Sequence, residues 1–385
     1  MTDHLPFALF RDDRSATSLV FDRPREIVLA RTASEILPAL GKLEAARRAG
    51  FWLAGYISYE AGHIFEEKLA PLIKDHRPTP LVAMGIFDKP AGNEHPLATP
   101  GPDRGDAALS DFRATWSPET YRERFERLHT HIRRGDCYQA NLTMPVTAKW
   151  TGDPKDLFWS LIERQPVSYG ALIDLGCPVI LSRSPELFFS VDADRMIETH
   201  PMKGTAPRGA SEEEDQAIVA AMLADEKTLA ENRMIVDLLR NDISVITEVG
   251  SLSVPKLFEI ETYPTLHQMV SHVRARLLPE VGLPEILAAL FPCGSITGAP
   301  KMWAMRILAE LEQTPRDAYC GAIGWCDPAG PMKFSVAIRT LSLFSGGTAV
   351  FNVGGGIVFD STAEAEYEEC LLKARFAAGS SPICR

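Results

Sequence analysis

Apolar and polar positions change period several times along the chain, and each change marks an element. Residues 18–21 and 52–59 are short apolar runs rich in aromatic and β-branched side chains, which predicts strands. Residues 34–49 instead repeat apolar positions at Ile36, Leu40, Leu43 and Ala46, the spacing of one helix face. From 89 to 111 the text turns to Pro, Gly, Asp and Ala, including Thr99-Pro100-Gly101-Pro102-Asp103. This predicts one long loop, and with it a boundary between an N-terminal part, residues 1–110, and a larger region, residues 111–385. Ser117-Pro118-Glu119 places a capping serine before a proline at the first helical position, so a helix should run to about Arg134 and stop at Gly135.

Beyond it, residues 136–143 read as a strand, and 178–190 as two short strands or one bent strand, followed by a turn at 192–195 and a strand at 196–199. Strict alternation sets Glu186, Phe188 and Ser190 opposite Leu187, Phe189 and Val191, so Glu186 points away from the most apolar set. Ser211-Glu212-Glu213-Glu214 is a capping box opening a helical stretch that reaches about Asn241. A helix follows Ala299-Pro300-Lys301, strands lie near 319–325 and 334–344, and a glycine run at 354–356 precedes a closing helix over 363–376. Strands and helices interleave without regular βαβ alternation, which predicts an α+β fold with mainly antiparallel sheet.

The chain has 385 residues, a net charge of −11 and no long apolar run. The acidic balance argues against nucleic acid as a partner, and no stretch suits a membrane span. Met1-Thr2-Asp3-His4 has neither the basic nor the apolar region of a signal peptide. Cys137, Cys177, Cys293, Cys320, Cys326, Cys370 and Cys384 stand singly, which fits reduced, mostly buried thiols in a cytoplasmic protein. Motifs for P-loop, dinucleotide and zinc-hydrolase sites are missing from the sequence.

Several polar residues stand where packing alone would not put them. His200-Pro201-Met202-Lys203-Gly204-Thr205 places a lysine just past a strand, between a proline and a glycine. Such a lysine is ordinarily a solvated charge; acting as a nucleophile requires it to lose its proton. Glu231 shares a helical stripe with Met234, Ile235 and Leu238, so its carboxylate heads a core face and needs a metal, an arginine or a proton, unless it reaches solvent at the stripe's end. Glu366, Glu369 and Lys373 share one face of the closing helix, either a solvated face or a second carboxylate source. The helix follows Val353-Gly354-Gly355-Gly356-Ile357, whose bare N–H groups could approach an anion, and carboxylates beside such a cradle suit Mg2+. Arg339 interrupts an otherwise apolar strand and needs an acid, from the chain itself or from a ligand carboxylate. Glu186, to act as a proton donor, needs a raised pKa.

Taken together, Gly135-Asp136-Cys137-Tyr138-Gln139-Ala140-Asn141-Leu142, Ser184-Pro185-Glu186-Leu187-Phe188, Pro201-Met202-Lys203-Gly204-Thr205, the Ala230-to-Asp242 segment, Gly294-Ser295-Ile296-Thr297-Gly298-Ala299-Pro300-Lys301 and the Gly354-to-Lys373 block resemble the chorismate-utilising enzymes. The likeness covers roughly residues 115–380, in the family's order and spacing, and is weaker before that. Gln139 stands where the isochorismate and salicylate synthases carry a lysine that activates water. Lys203 stands where anthranilate synthases read Pro-Ile-Ala-Gly-Thr, and resembles the aminodeoxychorismate-forming branch. Thr228 and Gln268, with His267 beside it and Ser271 beyond, depart from the anthranilate pattern.

The resemblance implies two facing antiparallel sheets with helices outside, in one continuous unit. It implies Mg2+ held by Glu231 and Glu369 with Glu366 in support. It implies an enolpyruvyl carboxylate held by Tyr319, Arg339 and the amides of Gly354, Gly355 and Gly356. Gln139, Gly204, Thr205 and Lys373 are implied as further substrate contacts. Lys203 would attack ring carbon C2 of chorismate while Glu186 protonates the departing C4 hydroxyl. Ammonia, from a separate glutamine amidotransferase subunit, would then displace the lysine to give 4-amino-4-deoxychorismate for p-aminobenzoate and folate synthesis. The alternatives are an anthranilate synthase large subunit and a non-catalytic, metabolite-binding subunit of the same fold.

Overall fold

The computed structural model describes residues 5–74, 77–101, 105–176, 178–263 and 266–384. Met1 to His4, Pro102, Asp103 and Cys177 lie outside the described residues. Two antiparallel sheets make up the β-structure, one of nine strands and one of ten among these residues. Helices Pro118–Arg134, Pro154–Arg164, Lys301–Glu312 and Ala363–Ala378 pack on the nine-stranded sheet through Phe125, Leu142, Leu308, Phe351 and Tyr367. Helices Ala33–Arg48, Glu226–Ser244 and Leu283–Leu290 cover the ten-stranded sheet through Leu40, Ile235, Val273 and Leu287. Between the sheets lies a smaller core of Ala8, Phe21, Ala171 and Ile173 from one and Ala54, Tyr56, Phe87 and Ile323 from the other. The layers therefore run helix, sheet, sheet, helix. This is an α+β architecture, with each sheet apolar on both faces because each is covered on both.

Strands on either side of the 89–111 stretch interleave. Phe7–Asp12 pairs with Tyr169–Asp174 in one sheet, and Trp52–Ile57 pairs with Ala322–Cys326 in the other. The stretch itself holds a short 3-10 turn, Pro96–Ala98, and a strand already begins at Ala108.

Local signals set most element ends. Ser117 Oγ accepts from the Thr120 N–H at the start of Pro118–Arg134, and Gly135, at φ +79°, closes that helix in the left-handed conformation. Ser211 Oγ accepts from the Glu214 N–H and opens Glu212–Ala224, but the expected capping box is not closed, since the Glu214 carboxylate takes the Ala210 N–H instead. The helical stretch breaks at Asp225 and resumes as Glu226–Ser244. The strand expected over 52–59 ends at Ile57 and runs into a 3-10 turn, Tyr59–Phe65. Among the described residues no helix is long and apolar enough to cross a membrane.

Two apolar runs behave differently from the alternation read in the sequence. Val179–Ser184 belongs to the nine-stranded sheet and Leu187–Val191 to the ten-stranded one. Likewise Met332–Val336 and Thr340–Phe344 lie in opposite sheets. Each run is one chain stepping from layer to layer, so both of its faces are buried and alternation carries no signal.

Candidate active site

Lys203 sits on strand Met202–Pro207, where the ladder with Leu266–Arg276 slips. Met202 pairs with Val270 and Thr205 with Gln268, so one extra residue is accommodated at Lys203 and Gly204. Gly204 has φ +87°, a conformation that costs glycine nothing, and this explains the Lys-Gly order. The bulge is held from outside: Gln268 Nε2 donates to the Gly204 carbonyl at 2.8 Å, and Thr205 Oγ1 donates to Gln268 Oε1 at 2.8 Å. Thr228 closes the other side, its Cγ2 only 2.5 Å from where a Cβ on Gly204 would stand. Both departures from the anthranilate pattern therefore touch the glycine that aims Lys203. Lys203 Nζ lies 3.5 Å from Glu231 Oε2.

Glu231 does not head the core stripe of its helix, as the sequence suggested. The buried positions are Asn232, Ile235, Val236, Leu239 and Ile243, one residue out of phase with the expected stripe. Asn232 occupies the buried head of the stripe because its side-chain oxygen accepts from Ser271 Oγ at 2.6 Å. Glu231, Met234 and Leu238 form the half-buried flank, and this turns Glu231 toward Lys203.

Glu186 and Arg339 both lie in the crossings between sheets, not within strands. The two crossings run side by side and are stitched together. Arg183 N–H donates to the Arg339 carbonyl at 3.0 Å, Val336 N–H to the Glu186 carbonyl at 3.1 Å, and Ser184 Oγ to the Val336 carbonyl at 2.6 Å. Glu186 is buried, and desolvation raises its pKa to about 7, opposed by a hydrogen bond from Ser295 Oγ at 2.6 Å and by the charge of Lys203. That is the range a proton donor requires at neutral pH. Ser295, within a glycine-rich stretch of no periodicity, is a site residue that sequence reasoning quoted but did not assign.

Arg339 has left-handed backbone, φ +51°, and is not part of a strand. It makes no ion pair among the described residues; with the Gln165 amide turned so that its oxygen faces the guanidinium, that neutral oxygen accepts from both Nε and Nη1. Burial depresses its pKa to about 10, still far above neutrality, so the guanidinium is a desolvated cation awaiting an anion. Tyr319 and Arg339 flank the same end of the hairpin formed by Ala322–Cys326 and Met332–Val336. Tyr319 lines a cavity of about 410 Å³ with Arg316, Thr340, Ser342 and Asn352. Burial pushes its phenol well above the ordinary range, so it remains a donor. Lys203, Glu186 and Glu231 are not among that cavity's walls.

The glycine run is strand, not flexible turn: Thr348–Ile357 pairs with Gln139–Thr151 along its whole length. Asn141 and Thr143 turn their N–H groups the other way, to the Thr297 carbonyl and to Glu312 Oε1. Their partners Gly356 and Gly354 therefore direct N–H and C=O to the opposite edge, which Thr340–Phe344 leaves unpaired beyond Val350. Gly355 faces into the ladder, so two of the three expected amides point outward. Lys373 Nζ already uses the Gly354 carbonyl, at 2.9 Å.

The two faces of this strand end carry different chemistry. A Cβ on Gly355 would lie 2.7 Å from Glu366 Oε2, with Glu369 Oε1 and Lys373 Nζ each 3.8 Å away. A Cβ on Gly356 would lie 2.7 Å from Gln139 Nε2 and 3.1 Å from Lys203 Nζ. Gln139 is fully buried, yet neither amide atom has a hydrogen-bond partner. An unpaired amide beside a lysine, where glycine keeps the wall bare, is a place for a polar ligand group. Gly356→Ala should lower kcat/KM by about a hundredfold by displacing Lys203 and Gln139, with little change in Tm, checked by steady-state kinetics and calorimetry.

Glu366 accepts from Ser361 Oγ at 2.7 Å, and its pKa is raised by burial and by the charge of Glu369. Glu369 pairs with Lys373 at 2.7 Å. A carboxylate pair in which one member resists ionisation suits a divalent cation. Here, however, Glu231 and Glu369 each lean on a lysine. Among the described residues the one group with three ligand atoms mutually within 4.8 Å is another, Glu198, His200 and His272.

The family profile described as chorismate binding enzyme matches residues 7–379. The chain belongs to that family. It is 37% identical over 340 residues to aminodeoxychorismate synthase component 1 of Escherichia coli, covering 83% of this chain and 74% of the relative. It is 44% identical over 264 residues to the protein of the same name from Klebsiella aerogenes, covering 69% and 58%. Anthranilate synthase component 1 of Methanothermobacter marburgensis is 39% identical over 284 residues, covering 74% and 60%. In structure, the chain resembles anthranilate synthase component I from Streptococcus pneumoniae with a TM-score of 0.78 at 28% identity, over 96% of this chain and 89% of that one.

Proposed function

We propose that this enzyme aminates chorismate at C4 through a covalent bond to Lys203, as an aminodeoxychorismate synthase component I. The observation that carries the reading is Lys203 at a bulge, 3.5 Å from Glu231 and facing bare Gly356, with a proton-holding Glu186 close enough to feel its charge. Chorismate is a ring dicarboxylate, and the surroundings offer two kinds of anion site. Arg339, which has no acidic partner among the described residues, suits the enolpyruvyl carboxylate, and Tyr319 and the outward amides of Gly354 and Gly356 are further donors for it. Glu231, Glu369 and Glu366 would hold Mg2+, which when bound supplies positive charge for the ring carboxylate. Entry of the cation and substrate would free Lys203 from Glu231 and Lys373 from Glu369.

The residues then divide the work. Lys203 Nζ, after losing a proton, forms a bond to C2 as the ring's two conjugated double bonds shift and the C4 hydroxyl departs. Glu186 gives that hydroxyl its proton, so water leaves. Ammonia adds at C4 and gives up one proton, which restores Glu186, while the two double bonds shift back and the C2–Nζ bond breaks to return Lys203. One difficult substitution becomes two easier ones. Gln139, a neutral amide, hydrogen-bonds substrate and leaves water unactivated. The relatives' designation as a first component supports a second, ammonia-supplying amidotransferase subunit, and a product destined for p-aminobenzoate and folate.

Purified protein with chorismate, Mg2+ and ammonium tests the reading by product identification. 4-Amino-4-deoxychorismate is expected; anthranilate with pyruvate would assign the chain to the anthranilate branch instead. Arg339→Met is expected to raise KM for chorismate by about ten- to a hundredfold, the loss of a charged hydrogen bond worth ~1.5–3 kcal/mol.

A further inference from the structure

Outside the site just described, three ligand atoms of the types transition metals prefer converge on one point. Glu198 lies on strand Met196–Thr199, His200 just past its end, and His272 on the neighbouring strand Leu266–Arg276. His200 Nε2 is 3.0 Å from Glu198 Oε1, and His272 Nδ1 is 3.2 Å from the same oxygen. The imidazole rings lie side by side, centroids 3.9 Å apart and tilted by 31°. Among the described residues His200 Nε2 is buried and finds no well-aligned hydrogen bond, despite the carboxylate 3.0 Å away. With metal–ligand bonds of about 2.1 Å, ligands at 90–110° around an ion stand roughly 3.0–3.4 Å apart. The two nitrogen–oxygen separations match that spacing, and all three ligand atoms lie within 4.8 Å of one another. All three groups are half-buried.

A fourth residue completes the pattern. His272 Nε2, the nitrogen turned away from Glu198, is buried without a hydrogen bond and lies 3.7 Å from Glu259 Oε2. Glu259 is fixed in turn by Lys256 at 2.8 Å. A carboxylate that hydrogen-bonds the far nitrogen of a ligating histidine sets its tautomer and raises its basicity, and Glu259 would do so on closing by a few tenths of an ångström when His272 binds an ion.

We propose that Glu198, His200 Nε2 and His272 Nδ1 form a binding site for a borderline divalent transition ion of the Zn2+ class, with Glu259 orienting His272. Two imidazoles and one carboxylate favour such an ion over Mg2+, which prefers oxygen alone. The site shares no ligand with Glu231, Glu366 or Glu369. Its ligand His200 stands three residues before Lys203, separated by Pro201 and Met202, so an ion here fixes the strand that leads into the lysine bulge.

The test uses the full chain, stripped with chelator and titrated with Zn2+ in excess Mg2+ by calorimetry. One Zn2+ per chain is expected, with a raised Tm. Affinity should fall by at least about tenfold to a hundredfold in His272→Gln and in Glu198→Gln, and stay unchanged in His131→Ala, which removes a surface histidine paired with Asp136. X-ray absorption of the Zn2+-loaded wild type should show two imidazoles in the first shell, a readout that needs no variant. Absence of Zn2+ binding in excess Mg2+, equal affinity in wild type and the two ligand variants, or a first shell without two imidazoles would overturn the proposal.

Discussion

Lys203→Ala is expected to lower kcat/KM with chorismate and ammonium by at least about a thousandfold, ~4 kcal/mol of transition-state stabilisation. The side chain is half-buried, and among the described residues its ion pair is with Glu231 at 3.5 Å. Tm should therefore move little. Arginine at the same position keeps the charge but not the nucleophile. Lys203→Arg should remain as inactive as alanine, which separates covalent chemistry from simple charge. Rates and melting temperatures of the two variants decide the matter together.

Glu186→Gln should lower kcat by about a hundred- to ten-thousandfold, since an amide cannot give a proton to the departing hydroxyl. The wild type should lose activity as pH rises through about 7, where Glu186 ionises. The variant's residual rate should lack that limb. Stability of the wild type should fall over the same rise in pH. A buried carboxyl whose pKa rises from 4.5 to about 7 on folding favours the native state only while it holds its proton. That contribution is complete at low pH and is lost as pH rises through 7, a change of about 3 kcal/mol. At pH 8 the glutamine variant, relieved of a buried charge and still able to accept from Ser295, should melt higher than the wild type. A variant that is both less active and less stable at pH 8 would contradict the assignment of a burial-raised proton donor.

The sequence made some of this legible and hid the rest for definable reasons. Helix Pro118–Arg134 was readable at both ends, because Ser117, Pro118 and Gly135 act locally. Lys203 with Gly204 was visible as a pinned lysine, but the bulge that aims it depends on Gln268 and Val270, whose pairing no local pattern encodes. Glu186 was assigned to a strand by alternation and Arg339 by the apolar run around it. They belong to layer crossings, where both faces are buried and period-two reasoning fails. Glu231 was placed one position out of phase, since the apolar stripe of Met234, Ile235 and Leu238 gave no sign that Asn232 would take its buried head. Its burial is compensated by Ser271, 39 positions away in the chain.

The network that sets these parts against each other was equally illegible. Arg316 donates to Glu312, to the Ile296 carbonyl at 2.9 Å and to the Asn141 carbonyl at 2.6 Å. Glu312 in turn accepts from the Thr143 N–H and hydroxyl, each at 3.0 Å. This buried group fixes the start of the Gln139–Thr151 strand relative to the turn that carries Ser295. Breaking such a pair costs about 3–5 kcal/mol, yet an arginine and a glutamate four residues apart read as an ordinary helix-surface pair.

The most direct test of the covalent reading omits the second substrate. Wild-type protein incubated with chorismate and Mg2+ but no ammonia, then quenched and mapped by peptide mass spectrometry, should carry chorismate less one water on Lys203. Ammonium added before the quench should remove the adduct and release 4-amino-4-deoxychorismate. An enzyme that makes this product with ammonium, yet carries no adduct on Lys203 and survives Lys203→Ala with its rate intact, would contradict the account.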